Sequence, residues 1–234
     1  MSSSGNNSFK KALFPPRCFI CGDFTRSKYS LCDECSTKFN ITFEITCEKC
    51  GLTAKSCQCE EYEYHFEGVV GAFKNEGAAQ HGIYQLKFNG KKCAAKYYGE
   101  ILSQIISKKF RDKKFDLITE IPLSPIALAF RGYNQSTLLA NEVANRLKIH
   151  RETLLKKRSF VKSQHNQELE TRFKNVFGKY KMIKGKNIKD KRVLLIDDIK
   201  TTGATLDEAA RILRLSGAKE VYCACVLITY KFYE

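Results

Sequence analysis

Two adjacent carboxylates, Asp197 and Asp198, stand between an apolar run (Val193, Leu194, Leu195, Ile196) and a small, hydroxyl-rich one, Thr201, Thr202, Gly203, Ala204 and Thr205. The apolar run reads as a strand buried on both faces, as in a parallel sheet, ending at Ile196 with the acids just beyond. Leu206, Ala209, Ala210 and Leu213 then mark one face of a helix. A strand end, a turn of small residues and a helix N-terminus together make an anion cradle. Main-chain N–H groups face the guest, and the helix dipole favours negative charge. Gly203 lets the backbone approach closely. The acids cannot hold a phosphate themselves, so they must serve sugar hydroxyls, a metal ion or both beside it. A sugar phosphate suits this chemistry.

The second reactive set is sulfur. Eight of the eleven cysteines form close pairs: Cys18 with Cys21, Cys32 with Cys35, Cys47 with Cys50, and Cys57 with Cys59. Two pairs complete one tetrahedral zinc site of four thiolates, so eight thiolates give two zinc ions. Four thiolates leave no open coordination position, which makes the expected role structural. Grouping by sequence order joins Cys18, Cys21, Cys32 and Cys35 in one site, and Cys47, Cys50, Cys57 and Cys59 in the other. A crossed grouping, first pair with third, is left open by spacing alone. Gly22 and Gly51 follow their pairs, where a metal knuckle needs positive φ. Cys93, Cys223 and Cys225 fall in helical or strand patterns and read as small buried apolar residues.

At 234 residues and 43% hydrophobic, the chain has material for a medium domain and a small one. No run approaches the eighteen or so apolar residues of a membrane span, and no secretory segment opens the chain. The expected location is cytoplasmic, where thiols stay reduced. The formal charge of +15 is uneven. Residues 1–66 carry eight basic and eight acidic side chains, so the whole excess lies beyond them. Between Arg151 and Arg192, 14 basic residues face four acidic ones. Such a field recruits polyanions, with Arg131, Lys156, Lys157, Arg158, Lys162, Arg172 and Lys174 as candidate nucleic-acid contacts. Phe160, Phe173, Phe177 and Tyr180 could stack on bases or belong to the core. A solvated, lysine-rich loop is the alternative.

These groups need positioning. Residues 1–16 read as a disordered tail, 17–64 as the cysteine region, and 65–234 as the larger domain. A strand is predicted over 66–73, helices over 77–88 and 92–110, and a strand over 115–121. Lys87 to Lys92 between the helices reads as a solvated turn. Pro122, Leu123, Ser124 and Pro125 mark a fixed loop at a strand's C-terminal end, where doubly wound sheets place ligands. Leu139, Val143 and Leu147 line a further helix. Residues 153–192 lack a long pattern, as expected of a segment that includes a lid. A helix ended by Gly217 joins strands 193–196 and 221–228. Alternating strands and helices give an α/β class.

The 193–205 string matches, almost position by position, the phosphoribosyl-pyrophosphate (PRPP) motif of type I phosphoribosyltransferases. With the cysteine pairs, Leu86-Lys87-Phe88 and Gly90, Ile121-Pro122-Leu123 and Pro125, Arg131-Gly132-Tyr133-Asn134-Gln135, and Arg172 with Asn175, the chain resembles the ComF family from about Cys18 onward. That resemblance implies a twisted parallel sheet flanked by helices, preceded by a small double zinc ribbon. It implies that Asp197 and Asp198, the candidate catalytic residues, hold the ribose 2′- and 3′-hydroxyls. Thr201, Thr202, Gly203, Ala204 and Thr205 would bind the 5-phosphate, Leu123 and Ser124 the pyrophosphate, and 160–175 would form the lid. Mg2+ would bridge pyrophosphate and sugar oxygens. One departure stands out: Ile126, Ala127, Leu128, Ala129 and Phe130 occupy a stretch where relatives usually carry arginines. The resemblance also implies a role in natural transformation, with single-stranded DNA and the uptake machinery as partners. A non-catalytic DNA-binding or PRPP-sensing protein, and a nucleobase phosphoribosyltransferase of salvage metabolism, are the rivals; for any enzyme, His165 in the lid is a candidate acid or base, with a solvent-exposed histidine as the alternative.

Overall fold

In the computed structural model, residues 15–41, 46–57, 59–60, 62–158 and 176–230 are described. Most of the expected tail lies outside them, as do Phe160, Lys162, His165, Arg172, Phe173, Lys174 and the lid. Strands β1 (Gly68–Lys74), β2 (Leu117–Glu120), β5 (Arg192–Lys200) and β6 (Glu220–Ile228) form one parallel sheet in the order β1-β6-β5-β2. The connections carry helices α1 (Gly77–Phe88), α2 (Ala94–Lys109), α3 (Pro125–Arg131), α4 (Gln135–Leu147) and α5 (Ala204–Leu215). Beyond α4 the chain returns along β2, with Ile118 N–H donating to the His150 carbonyl at 2.9 Å. Two short strands, β3 (Leu155–Lys157) and β4 (Tyr180–Met182), pair antiparallel within the stretch that showed no pattern. Hydrophobicity alone does not reveal strands of three residues.

A parallel sheet covered on both faces needs two cores. Leu194 and Ile196 face one, with Leu86 of α1, Tyr98 and Leu102 of α2, and Leu139 and Val143 of α4. Val193 and Leu195 face the other, with Leu206, Ala209 and Leu213 of α5. The N-terminal region contributes to both. Phe19, Cys35 and Phe39 belong to the first core, whereas Cys50, Leu52, Tyr64 and Phe66 belong to the second. Gly82 permits the first of these junctions. A Cβ there would lie 2.1 Å from the Tyr98 hydroxyl oxygen and 2.9 Å from the Phe19 ring.

The strand expected to stop at Ile196 continues to Lys200, so the two acids lie within β5 rather than after it. Polar residues broke the apolar run, but pairing with β6 persists to Lys200↔Ile228. Side-chain alternation slips at this level. Ile199 packs on the same core as Ile196, and β6 (Val226 with Leu227) and β1 (Ala72 with Phe73) each give that core two successive residues. A break in alternation re-aims side chains, here where the carboxylates emerge.

Candidate functional site

Asp197 and Asp198 are both buried. Asp197 Oδ1 accepts from Ser136 Oγ at 2.9 Å and from the Asp198 main-chain N–H at 2.8 Å. Ser136 is held by the cap of α4, where Asn134 Oδ1 accepts from the Ser136 N–H at 3.1 Å and Asn134 Nδ2 donates to the Ile121 carbonyl at 2.9 Å. Burial, then the neighbouring Asp198 charge, raises the Asp197 pKa to about 7 against the pull of those hydrogen bonds and of Lys87. Asp198 Oδ1 lies 2.8 Å from Lys87 Nζ. Its Oδ2 is buried with no hydrogen-bond partner among the described residues. The Lys87 end of the expected solvated turn is therefore corrected. Lys87 lies in the last turn of α1, one turn beyond buried Ile83, and its stem carries the ammonium to the acid pair. The available signal was a lysine extending the Ala79–Ile83 side of that helix.

After β5, Gly203 takes φ +89°, and α5 starts at Ala204. No hydrogen bond among the described residues engages the main-chain N–H of Thr201, Thr202 or Gly203. These three donors, free among the described residues, lead into a twelve-residue helix, the arrangement in which a helix N-terminus can receive an anion. Beneath it, Lys200 is almost fully buried, its Nζ without a partner among the described residues and its Cε 3.1 Å from a Cβ built on Gly203. Burial pulls its pKa below the ordinary lysine value. Asp207, in the first turn of α5, accepts from the Tyr62 hydroxyl at 2.8 Å and the His65 N–H at 2.6 Å. The segment following the cysteines is thus fastened to the helix that forms the cradle. Neither Lys200 nor Asp207 drew notice in the sequence.

The loop after β2 neighbours this turn because β2 pairs with β5. Leu123 and Ser124 lie in it, half-buried; Ser124 Oγ accepts from the Ala127 N–H at 3.2 Å and caps α3. The fixed loop ends at Ser124, and Pro125, expected as its last residue, instead opens α3 in the first turn. Arg131 closes α3, hydrogen-bonded to Gln135, with its guanidinium 5.0 Å from the Phe88 ring centre. Lys156 and Arg158 are exposed, whereas Lys157 leans over Tyr180 at 5.7 Å. Tyr180 is buried, and Phe177 is exposed with Arg211 4.4 Å over its ring.

The cysteines assemble in sequence order: Cys18, Cys21, Cys32 and Cys35 form one group, and Cys47, Cys50, Cys57 and Cys59 the other. A tetrahedral zinc with Zn–S of about 2.3 Å requires sulfurs about 3.8 Å apart. Cys21–Cys32, Cys47–Cys59 and Cys50–Cys57 each measure 3.7 Å. Burial opposes a thiolate at Cys18, yet N–H groups of Cys32, Cys21 and Ile20 outweigh it and bring the pKa to about 6. Gly22 and Gly51 have φ +84° and +71°, as the knuckles require. Both tetrads fit structural zinc. Cys223 and Cys225 are buried as expected, but Cys93 is exposed, because it stands at the N-cap of α2 rather than on its inner face.

A parallel sheet covered by helices on both faces, joined to two cysteine tetrads, is a phosphoribosyl transferase-type fold preceded by zinc ribbons. The phosphoribosyl transferase domain family matches residues 134–231, and the double zinc ribbon domain family matches 9–65. Competence protein ComFC of Streptococcus pneumoniae is 27% identical over 223 residues, covering 88% of this chain and 96% of that protein. DNA utilization protein YhgH of Salmonella typhimurium is 25% identical over 224 residues, covering 90% of this chain and 97% of its own. A hypoxanthine phosphoribosyltransferase structure from Staphylococcus aureus overlaps at 17% identity and a TM-score of 0.38, covering 59% of this chain and 65% of that one. The two domains in this order, and relatives spanning nearly the full length, make the chain similar to ComF-type proteins, a double zinc ribbon followed by a phosphoribosyl transferase domain. No helix among the described residues is long and apolar enough to cross a membrane.

Proposed function

We propose that this chain binds PRPP with Mg2+ at the β5–α5 turn and serves DNA uptake or use as a phosphoribosyl transferase-type protein. One observation carries the reading: Asp198 Oδ2, buried and without a donor among the described residues, belongs to the strand that runs into a turn whose main-chain N–H groups are free among those residues. A pentose hydroxyl supplies the missing donor, and the 5-phosphate fills the cradle. Asp197 and Asp198 hold the 2′- and 3′-hydroxyls; Thr201 to Thr205 hold the 5-phosphate. Leu123 and Ser124, on the neighbouring loop, face the pyrophosphate. When bound with PRPP, Mg2+ neutralises pyrophosphate charge. The reaction open to such a site is displacement of pyrophosphate at ribose C1 by a nitrogen nucleophile, with positioning and charge stabilisation as the protein's work. The names of the relatives support the DNA role. Lys156, Arg158 and Arg131 are the described basic residues offered to a nucleic-acid backbone, with Lys157 held against Tyr180.

Thermal melting tests the reading. PRPP with Mg2+ should raise the melting temperature of the wild type, by mass action. Asp197→Asn combined with Asp198→Asn should abolish the rise, with Mg2+ alone as control. An equal rise in the double variant removes the acids from the site.

A further inference from the structure

Lys200 is the last residue of β5, opposite Ile228 of β6, and its side chain is only 1% exposed. A lysine almost never takes such a place without a partner. Its Nζ has none among the described residues. An apolar side chain would fill the same space with no charge to desolvate, so the ammonium calls for an anion. Burial disfavours the charge, against the pull of Cys225, Cys50, Cys223 and Cys59. Burial also raises the Cys223 and Cys225 thiols well above their ordinary value, which leaves Cys50 and Cys59 of the second tetrad as the sulfurs that can answer it.

The side chain ends behind the turn that follows the strand. A Cβ built on Gly203 would meet Lys200 Cε at 3.1 Å and Nζ at 3.7 Å. Gly203, at the N-cap of α5, thus omits a side chain where the ammonium approaches the main chain. On the same turn, the N–H groups of Thr201, Thr202 and Gly203 have no acceptor among the described residues. A cation without an anion and donors without an acceptor meet at one stretch of main chain. The Asp207 carboxylate lies in the first turn of the same helix and opposes an incoming anion, so a cation beneath the turn has a charge to offset.

We propose that Lys200 is the buried cation of a phosphate subsite, holding a phosphomonoester on the Thr201–Gly203 main chain from behind and so favouring a 5-phosphorylated pentose over its unphosphorylated form. This deepens the PRPP reading and rests on it for the sugar alone, because the charge match needs only the phosphate. The rival role is a counter-charge for the second cysteine tetrad. A lysine serving the tetrad is indifferent to phosphate.

Calorimetric titration of the zinc-loaded full chain and its Lys200→Met variant decides between them. The probes are PRPP with Mg2+, ribose 5-phosphate, inorganic phosphate and, as a contrast, pyrophosphate with Mg2+, which the PRPP reading puts at Leu123 and Ser124. Met is unbranched like Lys and needs no partner, so the variant should keep its zinc and melt no lower than the wild type. It should bind PRPP, ribose 5-phosphate and phosphate about tenfold more weakly or worse, having lost a charge a few ångströms from the anion. Pyrophosphate should bind as before. Equal affinity of the two proteins for ribose 5-phosphate overturns the proposal. So does a variant that loses zinc or melts lower and binds all four probes more weakly, which makes Lys200 a structural counter-charge. A wild type that binds phosphate through Lys200 but neither PRPP nor ribose 5-phosphate keeps the subsite and sinks the PRPP reading. One that binds none of the three sinks both.

Discussion

Asp197 shows how a single residue combines stability with ligand chemistry. In the unfolded chain its carboxyl ionises near pH 3.9, whereas burial beside Asp198 holds it protonated until about 7. Between those values the folded state binds the extra proton, so stability falls as pH rises through the window. The difference amounts to at most about 4 kcal/mol. Asp197→Asn removes the titrating group and should flatten the fall, so its melting temperature should gain on the wild type from pH 4 to 7. Parallel curves for the two proteins would show that Asp197 ionises as readily folded as unfolded. The residue types of this site were legible because Asp-Asp and Thr-Thr-Gly are compact in sequence. Ser136 and Lys87 were not, since each reaches the acids from another helix and only the fold supplies that proximity.

Among elements, α1 and α2 decide how the first cysteine group meets the sheet. Tyr98 of α2 is fully buried and donates to the Ala79 carbonyl of α1 at 2.8 Å, while Phe19 packs 6.0 Å from its ring. Gly82 is the gap through which they meet. Gly82→Ala relieves backbone entropy but must push aside the hydroxyl and the Phe19 ring together. Overpacking and the lost hydrogen bond should cost about 3 kcal/mol, measured by urea unfolding. Adding Tyr98→Phe clears the hydroxyl, so it should recover part of that loss; no recovery would locate the strain elsewhere. The residue pattern placed α1 over 77–88, the bounds it adopts. It ended β5 four residues early, because Asp197, Asp198 and Lys200 are polar groups that only the sheet partner and the ligand edge make tolerable.

At the scale of the molecule, the spacing of cysteines announced a separate small unit, yet its residues are divided between both cores. Cys18 and Cys35 lie in the core shared with α1 and α2, and Cys50 lies in the core shared with α5. Tyr62 and His65 then fasten the following segment to Asp207, in the first turn of the cradle helix. A metal that holds each tetrad therefore holds a wall of each core, and its binding energy is partly folding energy for the whole chain. Stripping zinc with a strong chelator under reducing conditions should lower the melting temperature of the entire molecule in one transition. The PRPP-induced rise should vanish with it, because the cradle loses the packing behind Gly203. If calorimetry instead resolves two transitions after chelation, with the upper one still raised by PRPP and Mg2+, the ribbons are an appendage. The contacts through Tyr62, His65 and Asp207 would then be too weak to join the two regions.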